Sequence, residues 1–374
     1  MPVPLLDLTR QYAAIGGEIE AAALAVLRSC RYILGPEVEG FEKDLQAYLP
    51  AKHVVAISSG TDALLVALMA LGIGPGDAVA LPVYSFFATA GVVARVGARP
   101  VFVDVEPEFL TMDPRGLEKA FEQHANLRAV ITVHLYGACG AAPEIAAICK
   151  RHAVPLIEDA AQAIGTRSDG RPAGSFGLCA AWSTFPSKNL GGPGDGGFFS
   201  TDDDALAHKV RQLRNHGQSE LYRHESIGGN FRLDALQCAC LRVKLRHLEQ
   251  FTTARRQNAA RYRALCSEHG LAAKVQLPKD VADRHTYHQY VVHVDAAVRD
   301  RVRDQLGAQQ IGCAVYYPLP FHLQPCFRHL GNTKGQFPVA EQASRRNLAL
   351  PIFPELRPDE QQAVVQALAA ALAS

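Results

Sequence analysis

The chain has 374 residues, 48% of them hydrophobic, enough for one large core and a smaller second one. Its formal net charge is +1 with both signs well mixed, so neither nucleic acid nor a membrane surface is expected as a partner. The longest apolar runs, such as residues 63–73, are too short to span a bilayer, and the opening Met-Pro-Val-Pro lacks the basic and apolar regions of a secretion signal. Nine cysteines, an odd number without CxxC spacing, read as reduced thiols in a cytoplasmic protein. No His/Cys cluster has metal-ligand spacing.

Two helical patterns come first, over residues 17–28 and 36–48, on the apolar spacing Leu24, Leu27 and Val38, Phe41, Leu45. Residues 53–58 read as a strand, 58–62 as a turn, and 63–71 as a helix striped by Leu64, Leu65, Leu68 and Leu71. Strand, Gly/Ser/Thr turn and helix start make a physically good anion site at Gly60 and Thr61. The same residues equally suit a plain N-cap. A turn at 74–77 leads to a strand at 78–82. The stretch 83–90 then enters a helix, and its Phe86 suits either stacking on a planar ligand or a place in the core. Further strands are expected at 99–105 and 129–135, and a helix at 141–152.

The chain is organised around residues 154–197. Residues 154–159 read as a buried strand ending in Asp159, and 180–185 as a second short strand, with Lys188 just past it. A lysine and an acid so placed suit pyridoxal 5'-phosphate. The lysine bonds the cofactor aldehyde, and the acid keeps the ring nitrogen protonated so that the ring acts as an electron sink. Standing alone, Asp159 would be a helix cap and Lys188 a solvated loop residue. Five glycines in residues 191–197 permit tight turns and close backbone approach to a ligand, or form a flexible loop. Alternating strands and helices imply a mostly parallel sheet covered on both faces, whose ligands gather at the carboxyl ends of its strands. Thr61, Phe86, His134, Asp159 and Ser183 share that address.

A strand at 196–201 and a helix at 202–214 follow. Residues 228–234 lead into a long helix at 233–248, and a basic helix at 252–265 joins the large domain to a small one. Beyond it come a strand at 287–294, a helix at 296–308, a strand at 313–317, a proline-set loop at 317–322 and a last helix at 358–371. The expected fold class is α/β, with domains spanning residues 1–250 and 251–374.

Read in order, SSGTDAL (58–64), YSFFATA (84–90), HLYG (134–137), EDAAQAIG (158–165), STFPSKNLGGPGDGG (183–197) and GGNFRLDALQ (228–237) resemble the DegT/StrS family of PLP-dependent sugar aminotransferases. The resemblance covers nearly the whole chain and implies fold type I. It implies that Lys188 is the Schiff-base lysine and proton shuttle, that Asp159 pairs with the ring nitrogen, and that Gln162 reaches the ring hydroxyl. It further implies that Gly60, Thr61 and Ser183 hold the phosphate, that Phe86 stacks on the ring, and that Asn230 reaches the cofactor of a partner subunit in a homodimer. One departure is Gly229, where the family usually carries an aromatic residue.

By the same resemblance, the amino donor is an amino acid, glutamate in this reading, and the acceptor is a nucleotide-linked keto sugar. Lysine at 188, where some relatives carry histidine and act as dehydratases, points to transamination. Residues 314–324 look more like relatives acting on 3-keto than on 4-keto sugars, with Tyr317 and His322 as candidate substrate contacts. A non-catalytic regulatory protein, or a C–S lyase or decarboxylase using the same cofactor, are the readings from other classes.

Overall fold

The structure, a computed structural model, describes residues 1–373. The chain opens with two helices, α1 (Leu8–Ser29) and α2 (Pro36–Tyr48). It then alternates β1 (His53–Ile57), α3 (Gly60–Ala70), β2 (Ala78–Pro82), α4 (Ala88–Arg95), β3 (Arg99–Val103), α5 (Pro114–Gln123), β4 (Leu127–Val133), α6 (Ala142–Arg151) and β5 (Leu156–Asp159). A small hairpin, β6 (Arg167–Ser168) and β7 (Arg171–Pro172), precedes β8 (Cys179–Ser183), β9 (Gly197–Thr201) and α7 (Asp204–Arg214). A second hairpin, β10 (Gln218–Glu220) and β11 (Arg223–His224), leads to α8 (Ala235–Arg246) and α9 (Leu248–Glu268). The remainder comprises β12 (Tyr290–His293), α10 (Arg299–Ala308), α11 (Pro338–Arg346), β13 (Asn347–Leu350) and α12 (Pro358–Ala373), with short 3-10 turns between.

Seven strands form one sheet in the order β1-β9-β8-β5-β4-β2-β3. All run parallel except β9, which is antiparallel to both its neighbours. The period of two along each strand sorts the side chains onto two covered faces. Val55 and Ile57 of β1 join the core under α3, α4 and α7, while Val54 and Ala56 join the core under α2 and α8. Under α5 and α6 the second face continues with Ala78, Ala80, Val101 and Val130.

A separate core surrounds the two-stranded sheet of β12 and β13, packed by α9, α10 and α12. Helix α9 leads from one to the other: Leu248 belongs to the core against α8, and Ala259, Tyr262 and Leu265 to the second core. Phe321, Phe327 and Phe337 return to the first core, where all three meet Phe102 of β3.

Several expectations differ from the structure. The first helix starts at Leu8 rather than residue 17, because Asp7 caps it by accepting the Thr9 N–H at 3.0 Å. Residues 313–317 form no strand. Only Ala314 bridges Ala349, and the partner of β12 is β13, which the sequence pattern hides because it follows directly on α11. Helices α5 and α11 were also missed. Both start at a proline, in the first turn where its missing N–H does no harm.

Candidate active site

Three strand ends bring the site together. In the parallel register Asp159 of β5 stands between Val133 of β4 and Ala181 of β8. Alternation along β5 sends Glu158 and Asp159 to opposite faces. Glu158 is consumed structurally: it accepts the N–H groups of Gly174, Phe176 and Gly177 and pairs with His134 at 2.7 Å. Thus His134, at a strand end as expected, is fixed to Glu158 beneath the site.

Asp159 is 6% exposed. It accepts the Thr89 hydroxyl at 2.8 Å and the Ala161 N–H at 3.3 Å. Burial pushes its carboxyl above the usual range, with Thr89 foremost among the groups opposing the rise. A carboxylate in this setting is stabilised by a facing cation such as a protonated ring nitrogen.

Lys188 lies in the turn after β8, where its own N–H bonds the Phe185 carbonyl at 2.8 Å. Burial brings its amine down to about 8, against the pull of Asp159. The neutral, nucleophilic form that bonding to an aldehyde requires is therefore far more populated near neutral pH than in an ordinary lysine. The next residue, Asn189, is tied to the region after α9: its amide points at the Thr286 carbonyl (3.5 Å) and its oxygen lies 3.3 Å from His288 Nδ1. The glycines that follow are a packed element, not a loose loop. A Cβ at Gly191 would meet the Pro186 carbonyl oxygen at 2.3 Å.

The start of α3 closes the opposite side. Ser59 caps the helix by accepting the Asp62 N–H at 3.0 Å. The N–H groups of Gly60 and Thr61 are first-turn donors with no intrahelical acceptor. A Cβ on Gly60 would come within 2.7 Å of the Ser183 Cβ, and one on Gly197 within 2.6 Å of the Gly60 nitrogen. Gly60, Thr61 and Ser183 thus form a close cradle of donors fit for a phosphate.

Gln162 is buried, its oxygen taking the Tyr136 N–H at 2.6 Å and its amide 3.3 Å from the Tyr317 hydroxyl. Phe86 is 55% exposed rather than core, its ring 6.1 Å from that of Tyr317. Tyr317 therefore stands beside Gln162 and Phe86. His322 does not join them. It is 2% exposed, lies 3.1 Å from Glu341 and packs its ring on Phe337, so its role is packing. Asn230 is exposed, on a segment that bridges Asn215 and whose Phe231 carbonyl accepts the Ser58 N–H. The structure also explains Gly229: a Cβ there would lie 2.6 Å from the Phe231 ring, which fills the space.

Three further residues escaped the sequence reading. Thr89 stood inside the YSFFATA motif but had no partner assigned. Tyr136 and His288 reach the site through contacts that only the fold makes.

A buried acid, a lysine with a lowered pKa and a glycine-lined anion cradle at the strand ends of a mostly parallel sheet fit a fold type I enzyme using pyridoxal 5'-phosphate. The chain belongs to the DegT/DnrJ/EryC1/StrS aminotransferase family, whose model matches residues 13–369. It is 47% identical over 370 residues to the pleiotropic regulatory protein of Geobacillus stearothermophilus, covering 99% of this chain and 98% of that one. It is 42% identical over 359 residues to the UDP-N-acetyl-3-dehydro-alpha-D-glucosamine 3-aminotransferase of Acidithiobacillus ferrooxidans, covering 96% and 95% of the two chains. Among solved structures, S. venezuelae DesV in complex with a ketimine intermediate superposes with a TM-score of 0.94 at 40% identity over the full length of both chains.

Proposed function

We propose that this aminotransferase moves an amino group from glutamate to the keto group of a nucleotide-linked sugar, and that the keto group is at C3. The observation that carries the reading is the buried Asp159 and the partly buried Lys188 beside the Gly60–Thr61–Ser183 cradle. The 3-keto preference is supported by the name of the Acidithiobacillus relative, a 3-aminotransferase of a 3-dehydro sugar nucleotide.

In this reading Gly60, Thr61 and Ser183 hold the cofactor phosphate, Asp159 faces the ring nitrogen, Gln162 the ring hydroxyl, and Phe86 the ring face. The bound cofactor supplies an electron sink that lets a carbon-bound proton leave. Lys188 Nζ, whose neutral form is favoured by desolvation, would accept that proton and return it at the neighbouring carbon. Thr89 keeps the Asp159 carboxylate ionised and aimed. Tyr317 lines the substrate side.

Asn230 serves the partner's site in a homodimer. Its support is the apolar exposure around the β10–β11 hairpin: Leu221, Tyr222 and Ile227 are 79%, 86% and 92% exposed, far more than a monomer leaves in one place. The two domains meet along α9, near residue 250. Cytoplasmic residence fits the nine free thiols among the described residues.

The name of the Geobacillus relative favours a second reading, a regulator that does not turn over. One experiment separates them. Protein loaded with pyridoxal phosphate is mixed with glutamate alone and its visible spectrum followed, then nucleotide-linked 3-keto and 4-keto sugars are added. Conversion to the amine form and its reversal by the 3-keto sugar supports the proposal. A spectrum indifferent to glutamate supports the regulator, and reversal by 4-keto sugars alone moves the acceptor carbon.

A further inference from the structure

Three side chains from distant parts of the chain converge on one peptide, that joining Tyr316 to Tyr317. Tyr84, just past β2, is fully buried. Its hydroxyl lies 2.8 Å from the Tyr316 carbonyl oxygen and 3.1 Å from that of Tyr317, and accepts the Tyr317 N–H at 2.6 Å. Tyr136, just past β4, donates its hydroxyl to the same Tyr316 carbonyl. Asn347, the first residue of β13 and fully buried, donates to the Tyr84 hydroxyl at 2.9 Å and accepts the Tyr316 N–H at 2.8 Å. No sheet ladder holds Tyr316 or Tyr317, so these polar contacts take its place.

We propose that Tyr84 is a positioning residue, whose buried hydroxyl fixes the Tyr316–Tyr317 peptide and so holds the Tyr317 phenol against Gln162 and Phe86. The inference rests on the reading that Tyr317 lines the site. Tyr84 packs its ring in the first core, meets the edge of the Tyr317 ring at 6.2 Å between centroids, and turns its hydroxyl to the backbone of that segment, the Asn347 amide and the Tyr136 hydroxyl. A tyrosine has one proton to donate, so its two carbonyl contacts are alternatives, while its lone pairs serve the Tyr317 and Asn347 N–H groups. Phenylalanine keeps the shape and removes only the oxygen on which the arrangement turns. A Tyr317 N–H left without that oxygen in a buried place shifts the segment to find another acceptor.

The test is a double-mutant cycle with Tyr84→Phe and Tyr317→Phe, read in two ways: kcat/KM for the keto sugar, and the dissociation constant of pyridoxal phosphate from apo-protein by fluorescence quenching. Each single variant is expected to lower kcat/KM by about tenfold, the size of one lost hydrogen bond. The double variant is expected to fall little further, because both act through the same phenol. Cofactor affinity should weaken by a similar factor in each and no more in the double. Multiplying losses, or a Tyr84→Phe variant that is merely less heat-stable with both readouts unchanged, would overturn the proposal. If Tyr317→Phe alone changes nothing, the assignment of Tyr317 to the site fails, and the proposal with it. Should Tyr84→Phe not fold, Tyr136→Phe, which removes the second hydroxyl from the Tyr316 carbonyl, takes its place in the cycle with the same expected outcome.

Discussion

Around Asp159 the side chains stand on strand ends whose positions the sheet register fixes, with Lys188 in the turn just past one of them, whereas around Tyr317 they stand on a segment held by hydroxyls and an amide from three distant elements. The first region is built by repetition. Parallel strands place one residue each at a shared edge, and backbone N–H groups at a helix start complete it. The second is built by individual side-chain bonds, each replaceable and each dependent on the others. It follows that substitutions in the first region should act on the chemistry itself, and substitutions in the second on its alignment.

That contrast can be broken by a graded series. Lys188→Ala should show the largest effect, a loss of turnover of at least about 10⁴-fold with the fold retained, since on the proposed reading both the covalent anchor and the proton carrier go. Circular dichroism with a turnover assay checks it. Asp159→Asn should follow, at roughly 10³-fold, because an amide cannot balance a protonated ring nitrogen. Thr89→Val should cost about tenfold at neutral pH, the size of a hydrogen bond to a charged group. Its loss grows as the pH falls: without the Thr89 hydroxyl the Asp159 carboxyl rises further, and protonation removes the charge sooner. The pH dependence of kcat against wild type measures this. If Tyr84→Phe exceeded Asp159→Asn in effect, the division between chemistry and alignment would be wrong.

The pH behaviour of Lys188 sharpens the same comparison. In the proposed role its amine is the nucleophile only when neutral, and desolvation brings its midpoint to about 8. The rate at which apo-protein takes up pyridoxal phosphate should therefore climb as the pH rises and level off above about 8. A rate still climbing through pH 10 would mean that the amine is not desolvated.

The same division decided what could be read from the chain beforehand. Alternating strands and helices, Asp159 at a strand end and Lys188 past another are local patterns that the structure assembles as expected, while Gly60 and Thr61, read as a turn, open the helix three residues early. Thr89 was in view but mute, because its meaning lies in a contact with Asp159, 70 residues away. His322 suited a sugar contact and a packing role alike, since its only visible partner in sequence was the proline-set loop itself. Glu341, 19 residues on, accounts for it. Tyr316 and Tyr317 suggested a strand by composition, but β13 occupies the place beside β12. Local chemistry was legible, and long-range side-chain partnerships were not.

The most direct test of the account is chemical trapping. Protein loaded with pyridoxal phosphate is reduced with borohydride, digested and mapped by mass spectrometry. The account predicts one pyridoxyl adduct, on the peptide carrying Lys188. An adduct on another lysine, or none from protein that binds the cofactor, would contradict it.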